Sequence, residues 1–399
     1  MELQDLLSKS AKSMKASEIR ALLKQANIPG MISFAGGFPN PETFPIEDLK
    51  EVMMEVLETE GKQALQYGAT DGNTKLREEL IKRYNAQGLN ITLDNIIITT
   101  ASQQAIDLTS RIFIDPGDTI LCELPSYLGA LQSFTAYRAN IVGVPAGESW
   151  EEKIKELIAA GKKPKFVYLI PDFQNPAGTT MSLEQREHMV ALARKYDLLI
   201  VEDSPYREIR FMGEPVKMLA AMAPERVIQY GTFSKTFAPA FRIGWVIAPA
   251  DIVLKYNLAK QSSDLCTPCF DQAVAAKYLQ KGYFEKNLEK TVALYKVKRN
   301  LMIESFYKYM PKHVTWTEPE GGLFLHIRLP EGCDTRELFK ISMEKKVAFV
   351  VGDVFYCDGG GHHTLRANFS FMSDELIVEG VKRLAQSIRE YFDMKGIEY

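Results

Sequence analysis

The sequence predicts an α/β protein, with a mainly parallel seven-stranded sheet in a large domain and a smaller α+β domain after it. Two observations carry this. Seven short apolar runs rich in β-branched residues lie between residues 95 and 248, and periodic helical patterns separate many of them. Runs apolar on both faces, joined by helical crossovers, belong to sheets covered on both sides. After residue 270 the pattern turns into a long Lys- and Glu-rich helical stretch and then shorter strands. At 399 residues and 46% hydrophobic content the chain can bury one large core and a smaller one.

The elements follow in order. Residues 12–26 have helical spacing, with Met14, Ile19, Leu22 and Leu23 apolar and Arg20 among them, and Pro29-Gly30 ends the helix. Residues 32–41 are too Gly- and Pro-rich for a helix or a strand. Helices are expected over 46–60 and 73–86, then strands over 95–100, 119–123, 141–144, 166–170, 198–202, 227–231 and 243–248, with a clear helix over 183–195. One long helical stretch over 270–308 leads to strands near 314–317 and 323–328, a helix over 334–345, a strand over 347–351 and a closing helix over 374–394. The expected domains are an N-terminal arm (1–45) that joins the small domain, a large domain (46–285) and a small C-terminal domain (286–399).

Composition narrows the function. With 48 basic and 51 acidic residues, net charge -3, there is no broad basic face for nucleic acid or anionic lipid, so the expected partner is a small molecule. The early acids and missing apolar segment at the N-terminus argue against a signal peptide, and no run reaches the ~18 apolar residues of a membrane span. Five scattered cysteines argue for a reducing compartment, and the expected location is cytoplasmic. Cys266-Thr-Pro-Cys269 lacks a second ligand pair, and His362-His363 lacks a third ligand, so no metal site is expected.

Ligands of such sheets bind beyond the strands' carboxyl ends. The polar residues there read as one set. Lys235 sits between two core strands, flanked by Thr232 and Ser234, with Arg242 seven positions on. Hydroxyls beside a guanidinium fork suit a phosphate, and a desolvated lysine near a phosphate is a candidate for a Schiff base with a carbonyl. Phosphate and aldehyde on one small molecule suggest pyridoxal 5'-phosphate. Asp203 ends an apolar strand, where an unpaired carboxylate is costly, and it is the candidate partner of the pyridine nitrogen. At ~4 Å and an effective dielectric near 20, that charge is worth roughly 4 kcal/mol, enough to keep the ring nitrogen protonated. Ser102 and Gln103 open a helix, a position that suits a phosphate and equally suits a plain N-cap. Tyr127 reads as a loop aromatic, and Asn175-Pro176 as a turn.

The pattern Thr232-x-Ser234-Lys235-x3-Pro239-x2-Arg242-x-Gly244 resembles the lysine motif of class I/II aminotransferases, the fold-type-I pyridoxal-phosphate enzymes. The Asn175-Pro176 loop, Asp203-x-x-Tyr206 and the distal Arg366 occur in that family's order, and the likeness runs from about residue 12 onward. The resemblance implies Ser102 and Gln103 at the phosphate and Tyr127 against the pyridine face. It implies Asn175 and Tyr206 as donors to the phenolic oxygen, and Arg366 on the substrate α-carboxylate. It puts Gly37 in the loop lining the substrate entrance, and Tyr67 across a homodimer interface at the neighbour's cofactor phosphate. Ala101, Ala240 and Phe241 depart from the usual Gly, Gly and Leu.

The activity implied is a two-stage (ping-pong) transfer of an amino group from an L-amino acid to a 2-oxo acid, 2-oxoglutarate foremost. The group with 2-aminoadipate, kynurenine and aromatic aminotransferases is the most similar, on Phe34–Asn40 and the N-terminal helix. Arg20 matches an arginine that meets a substrate side-chain carboxylate in some members; as sequence alone it is equally a surface cation. A branched-chain (valine-pyruvate) aminotransferase, or a β-lyase or decarboxylase of the same fold, would use nearly the same residues. A pyridoxal-binding regulator would need a basic helix-turn-helix ahead of this fold, and only a short helix precedes the Gly36-Gly37 loop.

Overall fold

The computed structural model describes residues 3–14 and 28–398. The helix expected over 12–26, and Arg20 with it, fall almost wholly outside those residues; the helix seen nearby is Lys9–Ser13.

The first strand, β1 (Ile32–Ser33), lies within the loop expected to be irregular. Its two residues pair in parallel with Val347 and Ala348, far along the chain, which no local pattern announces. The seven expected strands follow as β2 (Ile96–Thr100), β3 (Thr119–Leu124), β4 (Asn140–Pro145), β5 (Phe166–Leu169), β6 (Leu199–Asp203), β7 (Val227–Thr232) and β8 (Ile243–Ile247). They form one sheet in the order β2-β8-β7-β6-β5-β3-β4. Only β8 runs against its neighbours: it is antiparallel to both β7 and β2, and the other pairs are parallel.

The pleat divides the core between the two faces of this sheet. Ile97, Tyr168, Val201 and Ile228 pack into one cluster, while Ile96, Ile98, Val167, Leu169 and Ile200 pack into the other. Each strand is therefore apolar on both sides, the property that makes it read as a continuous run.

The remaining strands are β9 (Thr315–Trp316), β10 (Phe324–Arg328), β11 (Val347–Ala348), β12 (Val350–Val351) and β13 (Thr364–Asn368). A four-stranded sheet has the order β12-β13-β10-β9, and β11 pairs with β1 instead. Two expectations are corrected here. The strand over 347–351 is split at Phe349, and its halves serve different sheets. The helical stretch over 270–308 is two helices, Cys269–Gln280 and Tyr283–Tyr309, because Gly282 takes a left-handed φ of 70° that a continuous helix cannot hold.

Ala101, in place of the expected glycine, starts the helix Ala101–Phe113 with a left-handed φ of 58°. Its N–H donates to the Arg242 carbonyl at 2.9 Å. A Cβ on Gly244 would lie 2.5 Å from the Ala101 carbonyl carbon, so the two backbones touch because Gly244 has no side chain. The turn is as tight as a glycine would make it, at the cost of strain in an alanine. Replacing Ala101 by Gly should stabilise the fold by about 1 kcal/mol, read as a later denaturation midpoint. An unchanged or earlier midpoint would show that the backbone there is not strained.

Candidate active site

The polar loops meet at one end of the large sheet, each entering just beyond a strand that ends there. Asp203 is the last residue of β6 and Thr232 the last of β7; Ser102, Tyr127 and Asn175 follow β2, β3 and β5. Because β8 is antiparallel, its start rather than its end lies on this side, which brings Arg242 to the same rim.

Asp203 is 2% exposed. Its Oδ2 accepts from the Tyr168 hydroxyl at 2.7 Å, and its Oδ1 is buried without a partner among the described residues. Burial raises its pKa from 3.8 to about 7. Glu202, next along the strand, points to the opposite face and caps the short helix Leu219–Met222, accepting from the Ala220 N–H at 2.8 Å. Tyr168 is a partner of Asp203 that sequence reasoning missed. Its signal was a hydroxyl in an otherwise apolar run, which needs a partner once buried.

Lys235 is half-buried, and its Nζ donates to the Gly37 carbonyl at 2.7 Å. Desolvation, then the positive charges of Arg366 and Arg242, lower its pKa from 10.5 to about 8. The amine is therefore a usable base near neutrality.

Arg366, on an inner strand of the four-stranded sheet, is 3% exposed. Its Nη1 donates to Asn175 Oδ1 at 2.9 Å and its Nη2 to the Ala35 carbonyl at 2.8 Å, while Nε lacks a partner among the described residues. The guanidinium lies 4.1 Å from the centre of the Phe324 ring and 5.2 Å from that of Phe355. Desolvation lowers its pKa to about 10. Asn175 also donates to the Tyr206 hydroxyl at 3.3 Å. The Asn175 loop is held from behind: Arg186 donates to Asp172 at 2.8 Å and to the Pro171 carbonyl at 3.0 Å, both groups fully buried. Gln174 ties it to the Tyr127 loop through the Pro125 carbonyl at 2.7 Å.

The hydroxyls beside the lysine are ordered. Thr232 Oγ1 donates to the Ile243 carbonyl at 3.0 Å and accepts from the Ser234 N–H at 3.1 Å. Arg242 Nη1 reaches Ser234 Oγ at 3.4 Å. Gln103 donates to the Gly129 carbonyl at 3.1 Å and accepts from the Tyr127 hydroxyl at 3.3 Å. Ser102 stands at the start of its helix, half-buried. Tyr67 is apart from this cluster in the single chain, 80% exposed.

This set fits pyridoxal phosphate. A buried carboxylate oxygen without a partner suits a ring N–H, a helix start with hydroxyls and a guanidinium suits a phosphate, and an amine held below its ordinary pKa suits an aldehyde.

Comparison with known proteins agrees. Residues 30–384 match the family model for aminotransferase class I and II. Aromatic-amino-acid aminotransferase 1 of Thermococcus litoralis is 46% identical, over 98% of this chain and 95% of that protein. The 2-aminoadipate transaminase of Thermus thermophilus is 37% identical, over 96% of this chain and 97% of that protein. The crystal structure of a multiple substrate aminotransferase from Thermococcus profundus superposes with a TM-score of 0.94 at 44% identity, covering 99% of this chain and 100% of that one. Fold, family model and relatives point the same way: the chain belongs to the class I and II aminotransferases, pyridoxal-phosphate-dependent enzymes of fold type I.

Proposed function

We propose that this aminotransferase moves the amino group of an aromatic or 2-aminoadipate-like L-amino acid to 2-oxoglutarate in a ping-pong cycle. The first 2-oxo acid leaves before the second arrives. The buried pair Arg366–Asn175 beside Lys235 carries this reading, since it offers one carboxylate-binding fork to both substrates in turn. The names of the relatives support the donor class.

When bound, pyridoxal phosphate supplies an aldehyde for the amine and an electron-poor ring that takes up negative charge. The chain's residues do the rest. Asp203 Oδ1 would accept from the ring N–H, and Tyr168 holds the other oxygen so that the carboxylate cannot turn away. Tyr206 and Asn175 would donate to the phenolic oxygen, and Tyr127 would cover the ring face. Ser102, Gln103, Thr232, Ser234 and Arg242 would receive the phosphate. Arg366 would orient the substrate by its α-carboxylate, and Lys235 Nζ would remove the proton from Cα. Gly37, whose carbonyl holds the lysine, would line the substrate entrance.

In this reading 46–285 is the large cofactor domain, 286–399 the small domain that brings Arg366, and 1–45 the arm. A homodimer completes the site, with the exposed Tyr67 entering the neighbour's phosphate pocket. No helix among the described residues is long and apolar enough to cross a membrane. We place the enzyme in the cytoplasm, a reading supported by five cysteines that are all unpaired.

A panel of amino donors against 2-oxoglutarate tests the function. The proposal predicts turnover with phenylalanine or 2-aminoadipate and fails if only branched-chain donors react. Arg366→Lys should lower kcat/KM by roughly 10²–10³-fold, because an ammonium cannot replace the fork. Retention of full kcat/KM would remove Arg366 from the substrate. Arg20→Ala should raise KM for glutamate far more than for phenylalanine; equal effects would remove that role from Arg20.

A further inference from the structure

We propose that Cys357 and Cys122 form a thiol-oxidation site on the wall of the groove that Gln103 and Arg242 also line, where Cys357 attacks a small peroxide and Cys122 closes a disulfide. Cys122 lies in β3, fully buried, in register with Gly143 of β4. A Cβ on Gly143 would be 2.7 Å from Leu124 Cδ1 and 3.1 Å from Cys357 Sγ. Leu124 and Cys122, two residues apart, share a sheet face. The Cys357 sulfur thus fills the space left by Gly143, on the face and in the row that holds Cys122.

The thiols are not equivalent. The influence of each sulfur on the other lowers the pKa of Cys357 and raises that of Cys122. Cys357 is partly exposed and, with Gln103, Leu128, Arg242, Asp353 and Val354, lines the groove. The accessible thiol is the more acidic of the two, and the sealed one stands behind it. This is the arrangement of an attacking and a resolving cysteine.

The chemistry balances with hydrogen peroxide as oxidant. The Cys357 thiolate takes one oxygen to become a sulfenic acid as the O–O bond breaks and hydroxide leaves. Cys122 sulfur then attacks Cys357 sulfur, the S–O bond breaks, and water leaves with the thiol proton. The disulfide would tie β3 to the segment carrying Phe355, whose carbonyl accepts from the Ser126 N–H at 2.8 Å and whose ring flanks Arg366. Oxidation should therefore slow turnover reversibly, a consequence that rests on the role proposed for Arg366; the linkage itself does not.

The test treats the holoenzyme with hydrogen peroxide and maps its peptides without reduction. A linked peptide containing Cys122 and Cys357 is expected, together with loss of most of the turnover and recovery of both on adding dithiothreitol. In Cys122→Ser the link should vanish and Cys357 should advance to sulfinic acid. A map showing only a Cys266–Cys269 link, or Cys357 oxidised without Cys122 in the wild type, overturns the proposal. Linkage with unchanged turnover keeps the oxidation site and refutes only its effect on catalysis.

Discussion

Lys235→Ala should lower kcat for transamination by roughly 10⁴-fold or more, since one substitution removes both the nucleophile and the Cα base. Single-turnover absorbance with an amino acid, without the second substrate, measures this step directly. A loss under about 10²-fold would mean that another group moves the proton. Borohydride reduction of the loaded wild-type protein should label the Lys235 peptide and leave the variant unlabelled. In cofactor-free protein, aldehyde reagents should modify Lys235 increasingly as pH rises through about 8, because burial and two neighbouring cations disfavour its charged form. An ordinary lysine would require pH near 10.5.

Asp203→Asn should act in opposite directions on activity and on the stability of the cofactor-free protein. Loss of the ring's counter-charge, worth roughly 4 kcal/mol, predicts about a 10³-fold lower kcat. The stability effect follows from the raised pKa. The folded state keeps the Asp203 proton up to about pH 7, whereas the unfolded chain releases it near 3.8. Across that interval the folded state binds more protons, so stability falls as pH rises, and the deficit is complete above about 7. Asparagine carries no such deficit. The cofactor-free variant should match wild type below pH 4 and exceed it at pH 8 by up to about 4 kcal/mol, read from urea midpoints. Equal midpoints at both pH values would show that the carboxylate is not strained by burial. The predicted result would mark Asp203 as a residue that function retains against stability.

Much of this was legible because the large sheet is apolar on both faces. All seven of its strands stand within a residue or two of where β-branched runs placed them. Their directions were less visible. Ten residues separate Thr232 from Ile243, too few for a parallel crossover, so the reversal of β8 was implied by length although not by composition. β13 was hidden because Leu365-Arg366-Ala367-Asn368 has no β-branched residue and buries two polar side chains, Arg366 and Asn368, whose partners lie on other elements. β1 and β11 escaped for a different reason: strands of two residues depend on each other across some 315 positions, beyond any local pattern. At the site, sequence order named the residues that converge, but not what holds them. Tyr168 behind Asp203 and Arg186 behind Asp172 became visible only with the contacts in place.

The neighbouring acids of β6 carry one more implication. Glu202 and Asp203 are chemically alike, yet one caps a helix and the other faces the pocket, solely because alternate residues emerge on opposite sides. Lengthening this strand by one codon ahead of Glu202 would move Glu202 into the place of Asp203 and push Asp203 beyond the strand, turning a longer acid toward the pocket and leaving the helix uncapped. Homologues of differing length should accordingly take up their insertions in the surface turns before Leu199, and hardly ever between it and Asp203.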